Sequence, residues 1–176
     1  MRNRWSRSGK RRVGLVGEEA GPATAAGGIS GRLQADYFVR QQLINLWQGM
    51  PLTLSGNWRE GEDREAGYGL VRPNLAPKMA YVGAQILHRE LAGYRILRRM
   101  ETGEADYVLM CVNPEGGFKL AAWTTGAPHL TTVELPYGAV ASVTGVTAYG
   151  RTFKLQNEST KLKLELGGTV QYVNIR

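Results

Sequence analysis

The hydrophobic pattern of this chain changes once, at Gly93, and that change restricts the fold more than any other feature. Before it, two stretches repeat their apolar residues at a helical period, with a short alternating run between them. The first, "ISGRLQADYFVRQQLINLWQGM", places Ser30 as an N-cap. Leu33, Tyr37, Ile44 and Trp47, with Val39 and Leu43 beside them, form an apolar stripe that stops before Gly49. The second, "PKMAYVGAQILHRELAGY", sets Pro77 in a first turn and repeats apolar side chains at Ala80, Ala84, Leu87 and Leu91. Between them "PLTLSGNW" alternates Leu52 and Leu54 with Thr53 and Ser55, as a strand does, and "VGLVGEE" supplies an earlier strand.

After Gly93 only short β runs follow: "YRILRRM", "DYVLMCV", "FKLAAWTT", "LTTVELP", "ASVTGVTAY", "KLKLEL" and "TVQYVNI". The turn segments "NPEGG", "TGAPH", "PYG" and "NEST" separate them. Strands at this spacing suggest an antiparallel sandwich or partial barrel. The expected class is therefore α+β, a strand-helix-strand-helix segment over 13–93 followed by an antiparallel β-sandwich over 94–176.

Charge confines the function classes. Residues 1–12, "MRNRWSRSGKRR", carry six of the 22 Lys and Arg and no acid, leaving 16 basic against 15 acidic side chains elsewhere. The formal charge of +7 thus belongs to a basic tail, expected to be disordered, and not to a basic face. This argues against a nucleic-acid partner. No apolar run approaches the ~20 residues that span a bilayer, and no secretory signal is recognisable, so the cytoplasm is the default location and no membrane partner is expected. Cys111 is the single cysteine and sits in an apolar run, which suits a buried filler and rules out an intrachain disulfide. His88 and His129 are too far apart to suggest a metal pair, "GEEAGP" lacks a nucleotide fingerprint, and neither metal nor cofactor is expected.

In β/α units functional groups gather where strands end and loops begin. Glu18 and Glu19 close the first strand, and Asn57 and Trp58 close the second. Because neighbours on a strand face opposite sides, only one glutamate can point inward, and Glu18 is favoured. A carboxylate beside an indole and an amide suits a sugar. The ring face stacks on a pyranose, the amide bonds hydroxyls, and the carboxylate can attack or stabilise an oxocarbenium-like centre. The bland alternative is a solvated acid and a core indole.

"VGLVGEEAG", then "LQADYFVRQQLINLWQGMPLTLSGNWREGEDREAGYGLV", then "PKMAYVGAQILHREL", in this order and spacing, resemble the closing part of a retaining (β/α)8-barrel glycoside hydrolase. "LAAWTT" and "TVELP" are similar to the β-sandwich that often follows such a barrel. The resemblance covers roughly residues 13–176. It implies that 13–93 holds the last two β/α units, that Glu18 is the nucleophile, and that Trp58 is the aromatic at the end of the eighth strand in the sugar subsite, beside the substrate-binding amide read at Asn57. The position after the acid is commonly aromatic in the family, whereas this chain has Glu19 and Ala20, so a register shift of one residue would make Glu19 the nucleophile.

The chain then reads as the C-terminal piece of such an enzyme. Retaining hydrolysis requires a second carboxyl ~5 to 5.5 Å from the nucleophile, which the family supplies from its fourth strand. Glu60, Glu62, Asp63 and Glu65, in a 59–76 loop too long for an ordinary connector, are the only nearby substitutes, and a solvated cluster is the simpler reading. On this view the chain is inactive alone, its partner is carbohydrate, and the open edges of the two parallel strands invite self-association. The competing reading is a non-catalytic carbohydrate-binding or structural β-sandwich. Trp123, Tyr137, Tyr149 and Tyr172 would line an exposed face in the first case and be buried in the second.

Overall fold

A computed structural model describes residues 16–19, 23–24, 27–50, 52–55, 57–61, 67–135, 143–158 and 160–175. The basic tail, Glu62, Asp63, Glu65 and Tyr137 lie outside the described residues. Eleven strands and two helices are described, in the order β1 (Val16–Glu19), α1 (Gly31–Trp47), β2 (Leu52–Ser55), α2 (Met79–Leu91), β3 (Arg95–Arg99), β4 (Asp106–Val112), β5 (Phe118–Thr124), β6 (His129–Glu134), β7 (Val143–Thr147), β8 (Thr152–Lys154), β9 (Asn157–Glu158), β10 (Lys161–Leu166) and β11 (Gln171–Ile175). The class is α+β.

β1 and β2 pair in parallel, with Glu18 opposite Leu54 and Glu19 opposite Ser55. The remaining strands pair antiparallel in two sheets, one ordered β3-β4-β5-β11-β7-β8 and the other β6-β10-β9. Three layers result. The small sheet packs on one face of the large sheet through Val133, Leu162, Leu164 and Leu166 against Val108, Met110, Leu120 and Val173. On the opposite face, Val39 and Leu43 of α1 and Ile86 and Leu91 of α2 pack with Leu109, Cys111, Trp123 and Tyr172. β10 shows the half-buried alternation expected of an outer sheet, whereas β4 and β5 are buried along both faces because a layer lies on each side.

Ser30 caps α1, its Oγ accepting from the Leu33 amide at 3.2 Å. The face that α1 buries differs from the expected stripe. Ala35, Val39 and Leu43 are fully buried, while Leu33 and Tyr37 are exposed. The reason is polar. "QADYFVR" places Gln34, Asp36 and Arg40 around the buried face, and each has a fixed partner. Gln34 Nε2 donates to the Gly67 carbonyl, Asp36 accepts from Tyr149 and Thr169, and Arg40 Nη2 donates to the Gly168 carbonyl. Satisfying buried polar groups fixes the rotation of the helix more firmly than the apolar stripe does.

α2 begins later than expected. Lys78 is its N-cap and Pro77 lies before it, in a bridge to Val71. The helices cross at Gly83, where a Cβ would come within 2.7 Å of Val39 Cγ2, so the close approach requires glycine. β8 and β9, of three and two residues, were not expected from the sequence.

Candidate functional site

Because β1 and β2 run parallel and in register, the segments that leave them emerge side by side. The backbones of Glu18 and Glu19 belong to β1; their side chains lie outside the described residues. Beyond β2, Asn57 is half-buried and Trp58 keeps 57% of its surface exposed, so the indole is not part of the core. Its ring meets Tyr81 of α2 edge-on, with centroids 5.4 Å apart and planes at 76°. The Trp58 carbonyl accepts from the amides of both Leu70 (3.0 Å) and Val71 (3.1 Å), which pins the backbone beneath an exposed ring.

The long loop after β2 is held by its own hydrogen bonds. Residues 58–60 lie against 70–71, with the Glu60 amide donating to the Val71 carbonyl at 2.8 Å. Gly69 sits at the crossing, with φ +89° and room for a Cβ only 2.7 Å from the Glu60 nitrogen and 2.9 Å from the Arg59 carbonyl carbon. Only glycine meets both conditions.

A buried polar knot ties this loop to the segment after β1. The Gly67 carbonyl lies 2.8 Å from Lys78 Nζ, 2.9 Å from Gln34 Nε2, 3.0 Å from Thr24 Oγ1 and 3.1 Å from the Thr24 amide. The Gly67 amide donates to Glu60 Oε1 at 2.6 Å, and Lys78 Nζ also donates to Thr24 Oγ1 at 3.2 Å. Glu60 Oε2 is 3.9 Å from the ammonium. Burial lowers the Lys78 pKa, opposed by the Glu60 charge and reinforced by Arg72. Thr24, Gln34, Glu60 and Lys78 thus join both strand exits to both helices. Glu60 serves this knot, holding a backbone amide and facing an ammonium. Sequence reading missed Thr24, Gln34 and Lys78, because a buried lysine looks like any helix-start cation until its carbonyl partner is known.

A second polar cluster locks α1 to the sheets. Tyr149 donates to Asp36 Oδ1 at 2.6 Å, Thr169 Oγ1 donates to Asp36 Oδ2 at 3.3 Å, and Arg32 Nη2 donates to Thr169 Oγ1 at 3.2 Å. Burial, and then Asp36, push the Tyr149 phenol well above its ordinary value. At the end of α2, Lys119 donates to the Glu90 carbonyl (2.8 Å) and to its carboxylate (3.2 Å). Burial alone would raise the Glu90 pKa, but Lys119 and Arg89 outweigh it and hold the carboxyl below its usual range.

Of the four aromatics considered for a sugar-binding sandwich face, Trp123 and Tyr172 are fully buried, and Trp123 stacks on Tyr107 at 4.8 Å. Tyr149 is committed to Asp36. Cys111 is buried and its thiol is pushed up to about 12 by desolvation. His88 is exposed on α2, and His129 pairs with the buried Asp106 at 3.1 Å. Among the described residues no group of His, Cys, Asp and Glu is placed to hold a metal ion, and no helix is long and apolar enough to cross a membrane. An open cavity of about 620 Å³, lined by Trp47, Arg99, Met100 and the 101–104 turn, adjoins the C-terminal end of α1. α1 leads from the exit of β1 back to the entry of β2, so this cavity is remote in topology from the strand exits.

No protein-family model matches the chain, and no curated protein sequence is similar to it. Solved structures are. A family 39 glycoside hydrolase from the gut symbiont Bacteroides cellulosilyticus WH2 matches with a TM-score of 0.72 and 24% identity, over 84% of this chain and 31% of that one. A GH30 endoxylanase from Clostridium papyrosolvens C71 matches with a TM-score of 0.59 and 15% identity, over 91% and 41%. The catalytic domain of GH30 xylanase C from Talaromyces cellulolyticus matches with a TM-score of 0.62 and 12% identity, over 91% and 40%. The chain therefore shares the fold of part of several glycoside hydrolases and spans between 31% and 41% of the length of these three.

Proposed function

We propose that this chain is the closing portion of a retaining glycoside hydrolase, its last two β/α units followed by the sandwich, with Glu18 as nucleophile and Asn57 and Trp58 as sugar contacts. The observation that carries the reading is the parallel, in-register exit of β1 and β2, which brings Glu18 and Trp58 to one end of the strand pair in a fold shared with glycoside hydrolases. Such strand ends are where barrel enzymes place their chemistry. The exposed indole supplies a stacking face at that end of the strand pair, and the Asn57 amide a partner for sugar hydroxyls. The polar knot of Thr24, Gln34, Glu60, Gly67 and Lys78 positions the two exits.

Glu60 is committed to that knot, and the general acid is the carboxyl that the resemblance assigns to the fourth strand of the family's barrel. The chain alone is then a slow or inactive catalyst, since protonation of the leaving group contributes ~10²–10⁴-fold. An activated 2-fluoroglycoside needs no acid to leave, so it tests the nucleophile by itself. Mass spectrometry of the whole chain should show one covalent glycosyl adduct at Glu18, absent in Glu18→Gln. An adduct at Glu19 would establish the shifted register, and no adduct across a panel of 2-fluoroglycosides would refute the catalytic assignment.

A further inference from the structure

Tyr81 and Gln85 of α2 were not candidates in the sequence, yet Tyr81 meets the exposed Trp58 edge-on and Gln85 is hydrogen-bonded to Tyr81. The two rings stand nearly at right angles, at 76°, and form a corner. Trp58 keeps 57% of its surface in solvent, although its backbone is held by two hydrogen bonds. Gln85 Nε2 donates to the Tyr81 hydroxyl at 3.2 Å, so the next turn of the helix adds an amide and a phenol to the same rim. A backbone fixed in this way lowers the ordering cost that binding to the indole would otherwise carry.

We propose that Trp58, Tyr81 and Gln85 form a subsite for a second sugar ring, so that the ligand is an oligosaccharide or polysaccharide chain and not a simple glycoside. This rests on the reading that the strand exits face a sugar and extends it along α2. A pyranose has an apolar face and an equatorial rim of hydroxyls. The corner offers a ring face for the first, and an amide and a phenol, both neutral, for the second. Tyr81 and Gln85 lie one helical turn apart, about 5.4 Å along the axis, which is on the scale of a single ring. A nucleic acid could stack on the same indole, but such a partner calls for a basic groove. Here Tyr81, which meets the indole, and Gln85, bonded to Tyr81, are both uncharged.

The test is a titration of the whole chain, by calorimetry and by following indole N–H resonances, with xylose, a β-1,4-linked xylohexaose and a cellohexaose. At least one hexasaccharide should bind more tightly than the monosaccharide. Trp58→Ala should weaken it at least about tenfold, the scale of one lost stacking contact. Tyr81→Ala and Gln85→Ala should each weaken the hexasaccharide several-fold, and Tyr81→Phe less than Tyr81→Ala. Unchanged thermal midpoints in Gln85→Ala, whose side chain is exposed, separate a binding effect from a folding one. The inference is overturned if neither hexasaccharide binds, if an oligonucleotide of similar length binds instead, or if the Tyr81 and Gln85 variants bind like the parent. The fluoroglycoside adduct at Glu18 is read independently, so the subsite can fail while the catalytic assignment stands.

Discussion

The contact between Asp36 and Tyr149 should carry a measurable share of the energy that fixes α1 on the sheets. The carboxylate is 6% exposed and accepts from the phenol at 2.6 Å and from Thr169 at 3.3 Å. Removing the phenolic hydroxyl in Tyr149→Phe leaves Asp36 Oδ1 in a buried site without that donor. Hydrogen bonds to a charged group are worth about 1.5–3 kcal/mol, and an abandoned buried acceptor costs a similar amount. A loss near 2 kcal/mol is therefore expected for Tyr149→Phe. Asp36→Ala should cost at least as much, because it strands both hydroxyls.

The decisive quantity is the coupling in the cycle Asp36→Ala, Tyr149→Phe and the double variant, measured by urea unfolding followed by far-ultraviolet circular dichroism. With a urea slope of roughly 2 kcal/mol per molar, a 2 kcal/mol loss moves the midpoint by about 1 M. The coupling should exceed about 1 kcal/mol, since contacting residues in one network commonly couple by 0.5–3 kcal/mol. Strictly additive losses, with a coupling below about 0.5 kcal/mol, would show that the helix is held by its apolar face and that the polar lock is incidental.

Gly69→Ala should destabilise the chain by more than about 1 kcal/mol, because it combines a left-handed backbone with a Cβ 2.7 Å from the Glu60 nitrogen. Limited proteolysis should then find new cuts in the loop after β2, and a wild-type digestion pattern would contradict the crossing. Cys111 should resist a thiol reagent at pH 8 in the folded chain and react at once in urea, since burial pushes its thiol up to about 12. Rapid labelling without denaturant would place the thiol at the surface. His129 is held protonated above its ordinary range, first by its bond to the Ala127 carbonyl and then by Asp106. Its stabilising contribution is therefore complete below about pH 6.5 and fades as pH rises through the folded value. The stability difference between parent and His129→Asn should shrink with rising pH over that window; a difference that grows would reverse the sign of the linkage.

Much of the β-rich half is legible in the sequence because its strands are short apolar or alternating runs bounded by turn residues. β4 and β10 fall on "DYVLMCV" and "KLKLEL" themselves. β8 and β9 are not legible, since runs of three and two residues hold no period. The helices were recognisable, but their orientation was not. Leu33 and Tyr37 look as apolar as Val39 and Leu43, and only the partners of Gln34, Asp36 and Arg40 show which side turns inward. Those partners are as much as 133 residues away, beyond any local signal.

The candidate site divides in the same way. Glu18, Asn57 and Trp58 are candidates from the sequence because strand ends can be located from local pattern and because acid, amide and indole suit a sugar. Tyr81, Gln85 and the Thr24, Gln34, Glu60 and Lys78 knot were not, because each is ordinary in its own segment and gains meaning from a neighbour on another. The sequence alone thus determined where the longer strands and both helices lie and which chemistry the strand ends can offer, since periodicity, capping and side-chain type are local. Tertiary structure decided which helix face is buried, that Glu60 is held in a structural knot, and that Trp58 stands exposed against Tyr81. Those outcomes depend on long-range polar pairing and on the close approach of two backbones at Gly69, which short-range pattern does not encode.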